Sequence, residues 1–189
     1  MIRVGSWNIL GRRNYRLGRA AEPGAIIAAL AAQAVDVLCL QEVHFFDGAP
    51  ERQVVDELQA AGLVHLIGAP LSPSHLDGNA RLGLAIASRF PLTGKRLHQL
   101  HNPQISAQVR GKEWVLHDKG LLGATVCLGD QKSLRIYSLH LFPFFEFGVD
   151  EEHHYVGTMW REFWRYVDRV AREQCQGDEV VRGAADLSW

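Results

Sequence analysis

Asn8 in SWNIL, Glu42 in LCLQEV, His140 in IYSLHLF and Asp186 in GAADLS each stand near the carboxyl end of a short apolar run. Val, Leu and Ile build a buried strand readily. A carboxylate there costs several kcal/mol unless it is paired, hydrogen-bonded or bound to a metal. In open α/β sheets, sites gather outside the carboxyl ends of strands. Four strands delivering Asn, Glu, His and Asp to one edge would make a site for hydrolysing a phosphoester. The carboxylate of Glu42 and the amide oxygen of Asn8 are hard ligands that suit Mg2+ or Mn2+. Such an ion would stabilise charge developing on the phosphate oxygens. His140 can donate a hydrogen bond or a proton to a phosphoryl oxygen.

Each residue also has a plainer reading. A lone Glu at a strand end is usually a solvated loop residue, and Asn8 could simply cap a turn. A histidine on an apolar strand is more often a satisfied core side chain. His98 and His101 have metal-like spacing only on a helix but flank a strand, and His153 and His154 precede a helix, so all four read as surface residues.

The elements that must position these residues alternate between β-rich and helical runs, which predicts an α/β fold. Strands are expected over Ile2–Leu10, Val35–Val43, Val64–Ile67, Leu82–Ser88 and Lys95–Leu100. Leu121–Leu128 and Leu134–Phe142 read as a hairpin turning at Gly129-Asp130. Val35–Val43 is nearly all apolar, as in a strand covered on both faces. A helix follows Pro23 and another spans Glu51–Ala61. Arg12–Arg19 and Ala69–Arg81 read as loops, and His101–Asp118 as irregular. Tyr155–Cys175 is the clearest helix, with an apolar stripe of Val156, Trp160, Phe163, Val167 and Val170. Its arginines alternate with acids, as on a solvated face. Glu179–Leu187 begins as a last strand. No repeat or linker divides the chain, so residues 1–189 are expected to form one domain.

The ordered motifs resemble those of the endonuclease/exonuclease/phosphatase superfamily. SWNIL resembles its opening motif, whose Asn helps hold the metal-phosphate centre. VDVLCLQEV resembles its second motif, which puts Glu42 on the principal magnesium ligand. LGLAIASRFPL resembles a strand in which Arg89 and Pro91 fall in place, with Arg89 pairing a carboxylate beneath the site. DKGLLGATV resembles the "KG" strand of the sphingomyelinase-like members. SLHL resembles the strand whose His contacts the scissile phosphate. AADLS is similar to a worn "GDFN", placing Asp186 on its Asp. Each motif alone is weak, but their order on predicted strands favours the functional reading of Asn8, Glu42 and His140.

The resemblance implies a four-layer α/β/β/α sandwich of two mixed sheets. It also implies Mg2+ or Mn2+ as cofactor and a phosphate-ester substrate, whether nucleic acid, phospholipid or small molecule. Two departures stand out. Ala185 and Ser188 replace the Gly and Asn of the last motif, and Ser188 is the substitute for a residue that orients substrate. The family's closing Asp-His pair, whose His is implicated in activating water, does not occur before Trp189. The expectation is a domain incomplete at its C-terminus, lacking final strands and weak or inactive as it stands.

Bulk properties limit the alternatives. With 20 Lys+Arg against 21 Asp+Glu, the formal net charge is −1, so no global basic field draws in duplex DNA. No run approaches the roughly 20 apolar residues of a membrane span. Cys39, Cys127 and Cys175 are sparse and lack a CxxC, which reads as free thiols, and with no charged-then-apolar leader a cytoplasmic location is the expectation, with a monomer expected too. Phe142, Phe144, Phe145 and Phe147 could form a lipid-facing platform, though packing is the plainer reading. A metal-dependent phosphoesterase is the reading favoured. The alternative is a non-catalytic relic that keeps the fold and binds a phosphate ligand or a partner protein.

Overall fold

A computed structural model describes residues 1–14, 19–31, 33–100, 102, 106–109, 112–115, 117–141 and 165. Its contacts divide the chain into two compact units, Met1–Pro143 and Phe144–Trp189. The elements that carry the candidate site all lie in the first. Arg165 is helical and exposed. The rest of the Tyr155–Cys175 helix, the Glu179–Leu187 strand and the phenylalanine cluster lie outside the described residues, as do Asp186 and Ser188.

In chain order the elements are β1 (Val4–Asn8), a 3-10 turn (Leu10–Arg12), β2 (Arg13–Asn14), β3 (Arg19–Ala20), α1 (Ala25–Ala31), β4 (Val37–Phe46), β5 (Ala49–Pro50) and α2 (Arg52–Ala60). Then follow β6 (His65–Pro73), β7 (Arg81–Ser88), β8 (Leu92–Gln99), β9 (Ser106–Val109), β10 (Lys112–Val115), β11 (Gly120–Gly129) and β12 (Lys132–His140).

Two sheets form. The first runs β1-β4-β7-β6 and is mixed, with β1 parallel to β4 and the other pairs antiparallel. The second runs β12-β11-β8, and its described pairs are antiparallel. One face of the first sheet packs on the helices. There Leu38, Leu40, Val43 and Phe45 of β4 meet Ile26 and Leu30 of α1 and Val54 and Leu58 of α2. The other face packs on the second sheet, where Val37, Cys39, Leu84 and Ile86 meet Leu122, Ala124 and Val126. These are the α, β and β layers of the expected sandwich. Burial on both faces explains why Val37–Leu40 of β4 and Leu82–Ala87 of β7 are apolar runs.

The departures from expectation are local. β6 runs to Pro73 rather than ending at Ile67. Two prolines fit there because β6 is an edge strand, with a bulge between Pro70 and Ser72. The segment read as irregular contains the antiparallel pair β9–β10. The loop expected over Arg12–Arg19 begins with a 3-10 turn and includes the short pair β2–β3. Among the described residues, no helix is long and apolar enough to cross a membrane.

Candidate active site

The site begins with an irregularity in β4. Gln41 pairs with Leu84 and Val43 with Gly83, so Glu42 is an extra residue with no partner on β7. Its φ is +54°, the left-handed region that costs a non-glycine residue about 1–2 kcal/mol. The bulge shifts the phase of the strand. Leu38 and Leu40 face the helices before it, and Val43 and Phe45 face them after it. Unbulged alternation would send Glu42 into that apolar layer. Instead its carboxylate meets β1 and β12. Backbone strain of this kind concentrates at functional sites. Gly83 opposite the bulge is required, because a Cβ there would approach Phe45 Cε2 and Pro70 Cα to 2.8 Å.

Asn8 ends β1, beside Gln41 in the parallel register. Its Oδ1 accepts the backbone N–H of Leu10 at 3.0 Å, an Asx-type turn, and its Nδ2 donates to Glu42 Oε1 at 3.0 Å. Asn8 therefore presents a hydrogen rather than its oxygen to Glu42. Its amide steadies the carboxylate at the end of β1.

His140 ends β12, with Nε2 at 3.4 Å from the same Glu42 Oε1. Lys119, just before β11, places its Nζ 3.3 Å from His140 Nε2 and 3.4 Å from Nδ1. Burial lowers the His140 pKa first and the Lys119 ammonium lowers it further, while Glu42 opposes them; the value falls to about 4. His140 is thus a neutral imidazole at pH 7, and its contact with Glu42 is not an ion pair. Glu42 Oε2 is buried and has no hydrogen-bond partner. A buried carboxylate oxygen left in this state calls for a cation or a proton.

A small pocket opens beside Glu42, walled by Ser72, His75, His117, Lys119 and His140 over Leu71, Leu82 and Gly83. The His75 and His117 rings stack with centroids 5.0 Å apart. Burial first, and then neighbouring positive groups, lower both pKa values, with Glu42 opposing. The loop carrying His75 is anchored. Ser74 Oγ lies 3.0 Å from His44 Nε2 and accepts the backbone N–H of Leu76, and Arg13 donates to Leu76 O at 2.8 Å.

The tertiary structure therefore brings together Asn8, Glu42 and His140 of the residues singled out in the sequence. Arg89 is not beside them. It pairs with Asp36 at 3.6 Å and donates to Val35 O at 3.1 Å, at the opposite end of β4. Six residue steps along the strand separate Asp36 from Glu42, about 20 Å. Lys119, His75 and His117 were missed as site residues. The KG motif contained the lysine, but nothing local to His75 or His117 marks them. Among the described residues, no group of three or more His, Cys, Asp or Glu is arranged to hold a metal. One carboxylate is nonetheless enough for Mg2+, which keeps several of its waters.

The comparisons identify the family. The family model for the endonuclease/exonuclease/phosphatase family matches residues 5–181. The chain belongs to that family. It is similar in fold to the endonuclease/exonuclease/phosphatase from Beutenbergia cavernae DSM 12333, with a TM-score of 0.54 at 22% identity, covering 74% of this chain and 38% of that one. An endonuclease/exonuclease/phosphatase family protein from Leptotrichia buccalis C-1013-b matches at a TM-score of 0.49 and 13% identity, covering 75% of this chain and 55% of that one. The chain thus spans under two thirds of the length of either structure. No curated protein matches the sequence significantly.

Proposed function

We propose that this chain hydrolyses a phosphoester with the help of Mg2+ or Mn2+ at Glu42. The observation that carries the reading is the buried, unpartnered Oε2 of Glu42, on a carboxylate whose other oxygen is gripped by Asn8. The cation, when bound, would neutralise charge building on the phosphate oxygens. Asn8 keeps the Glu42 carboxylate in one orientation. His140, neutral at pH 7, donates an N–H to a phosphoryl oxygen, and Lys119 adds a positive charge on the same side. In the reaction, water forms the new P–O bond while the ester P–O bond breaks, and the leaving oxygen takes a proton. Asp186 and Ser188 are proposed to orient water or substrate.

Family membership supports hydrolase chemistry of this kind, and the substrate stays within nucleic acid, phospholipid or small phosphoesters. The near-neutral charge leans away from duplex DNA. The test is hydrolysis of bis-p-nitrophenyl phosphate with Mg2+, with Mn2+ and with EDTA, comparing this chain with Glu42→Ala. The expected result is metal-dependent turnover that the variant loses. A folded wild type no faster than Glu42→Ala would sink the reading and favour a non-catalytic phosphate-binding chain.

A further inference from the structure

A second polar layer lies directly under the site. Ser6, Gln41 and Ser138 precede Asn8, Glu42 and His140 by two, one and two positions on the same three strands. Side chains two apart share a strand face, so Ser6 lies beneath Asn8 and Ser138 beneath His140. The bulge brings Glu42 to the side of Gln41. Gln41 Nε2 lies 3.2 Å from Ser6 Oγ and 3.1 Å from Ser138 Oγ, with Cys39 O at 3.4 Å. Ser138 Oγ in turn donates to Leu40 O at 3.0 Å. Gln41 and Ser138 are both buried.

This layer crosses the sandwich. β1 and β4 belong to one sheet and β12 to the other. Elsewhere the sheets meet mainly through Val, Leu, Ile, Ala and Cys39, whose packing is largely non-directional and tolerates sliding, with Cys39 Sγ to Tyr137 O and Lys95 Nζ to Gly68 O as further polar contacts between them. A buried amide and hydroxyl that satisfy each other do not tolerate it. Moving β12 along β4 would strip the buried Ser138 hydroxyl of both its contacts, at a cost of about 1–3 kcal/mol, and would take one acceptor from Gln41. An apolar pair here would hold the sheets together equally well without fixing their register, so burial alone does not account for the choice of Gln and Ser.

We propose that Ser6, Gln41 and Ser138 are positioning residues, whose hydrogen bonds hold His140 of one sheet at working distance from Asn8 and Glu42 of the other. The kinetic consequence rests on the phosphoesterase reading; the geometric consequence does not.

The test uses Gln41→Met, which nearly conserves volume, Ser138→Ala and the double variant of the full chain. The substrate is bis-p-nitrophenyl phosphate with Mn2+, and thermal midpoints and a crystal structure of Ser138→Ala accompany the kinetics. Each single variant is expected to lose about ten-fold or more in kcat, with KM within about two-fold. The double variant should lose no more than the worse single, because both lose one shared bond. In the crystal, the His140–Glu42 separation should lengthen by about 0.5 Å or more. Variants that melt earlier yet keep the wild-type kcat would overturn the proposal, leaving a purely stabilising role. So would a Ser138→Ala structure that retains the 3.4 Å and 3.0 Å contacts to Glu42. If the wild type itself shows no turnover, the phosphoesterase reading fails, and the structural comparison alone decides this one.

Discussion

The ammonium of Lys119 lies 3.3 Å from Nε2 of His140, and both groups border the carboxylate of Glu42. Burial first, and then a cation at this distance, take the imidazole from its ordinary pKa of 6.5 to about 4. The unfolded chain therefore binds a proton more readily than the folded one between those values. The stabilisation is complete above about pH 6.5 and is lost progressively as pH falls towards 4. For His140 alone the loss approaches roughly 3 kcal/mol. His44, His75 and His117 are shifted in the same direction, chiefly by burial, and add to it. Urea unfolding in EDTA should give a clearly lower midpoint at pH 5 than at pH 7.5, with a smaller difference in Lys119→Met. Equal midpoints at the two pH values would refute this account.

Glu42 combines backbone strain with an unsatisfied buried oxygen, so the metal-free chain gains little from it. Glu42→Gln should leave metal-free stability unchanged or raised by up to about 1 kcal/mol. Wild type should gain about 2.7 kcal/mol with Mn2+ at about 100 times its Kd, and the variant should gain nothing. Thermal melts with and without Mn2+ measure both effects. An equal Mn2+ shift in the variant would remove Glu42 from the metal site.

The bulge depends on the glycine opposite it. Gly83→Ala places a methyl group against Phe45 and the backbone of Pro70. Backbone cannot yield as a flexible side chain can, so a loss of about 1–3 kcal/mol or more is expected. The same shift moves Glu42, so Mn2+ affinity should weaken alongside stability. A Gly83→Ala chain with wild-type melting would show that the seat is looser than described.

Arg89, although embedded in a family-like motif, should matter only for stability. Its side chain is 43% exposed and its ion pair with Asp36 is a surface one. Arg89→Ala should cost about 1 kcal/mol or less through that pair and leave Mn2+ titrations unchanged. Weakened Mn2+ binding at unchanged stability would contradict the distant location.

Much of the sandwich was legible because a strand buried on both faces must be apolar. β4 and β7 announced themselves in this way, and a carboxylate or imidazole at the end of such a run has no cheap structural reason to be there. That logic singled out Asn8, Glu42 and His140 before any contact was known. It also limited the fold to α/β, and the motif order selected the family. The extension of β6 through Pro70 and Pro73 was not legible, since proline is excluded from a strand unless that strand is an edge, and edge position is a property of the sheet. The bulge at Glu42 was equally hidden, because a left-handed Glu carries no local signal where glycine would have. His75 and the His117–Lys119 segment reach the pocket from stretches far apart in sequence. Only the packing of the two sheets brings them to Glu42, since each sits in a loop whose residue types are ordinary for a surface. The sequence alone pointed to the strands that carry the candidate site residues. The tertiary structure decided how their ends meet, because register across two sheets is set by long-range packing and by the Ser6–Gln41–Ser138 layer, which no local pattern encodes.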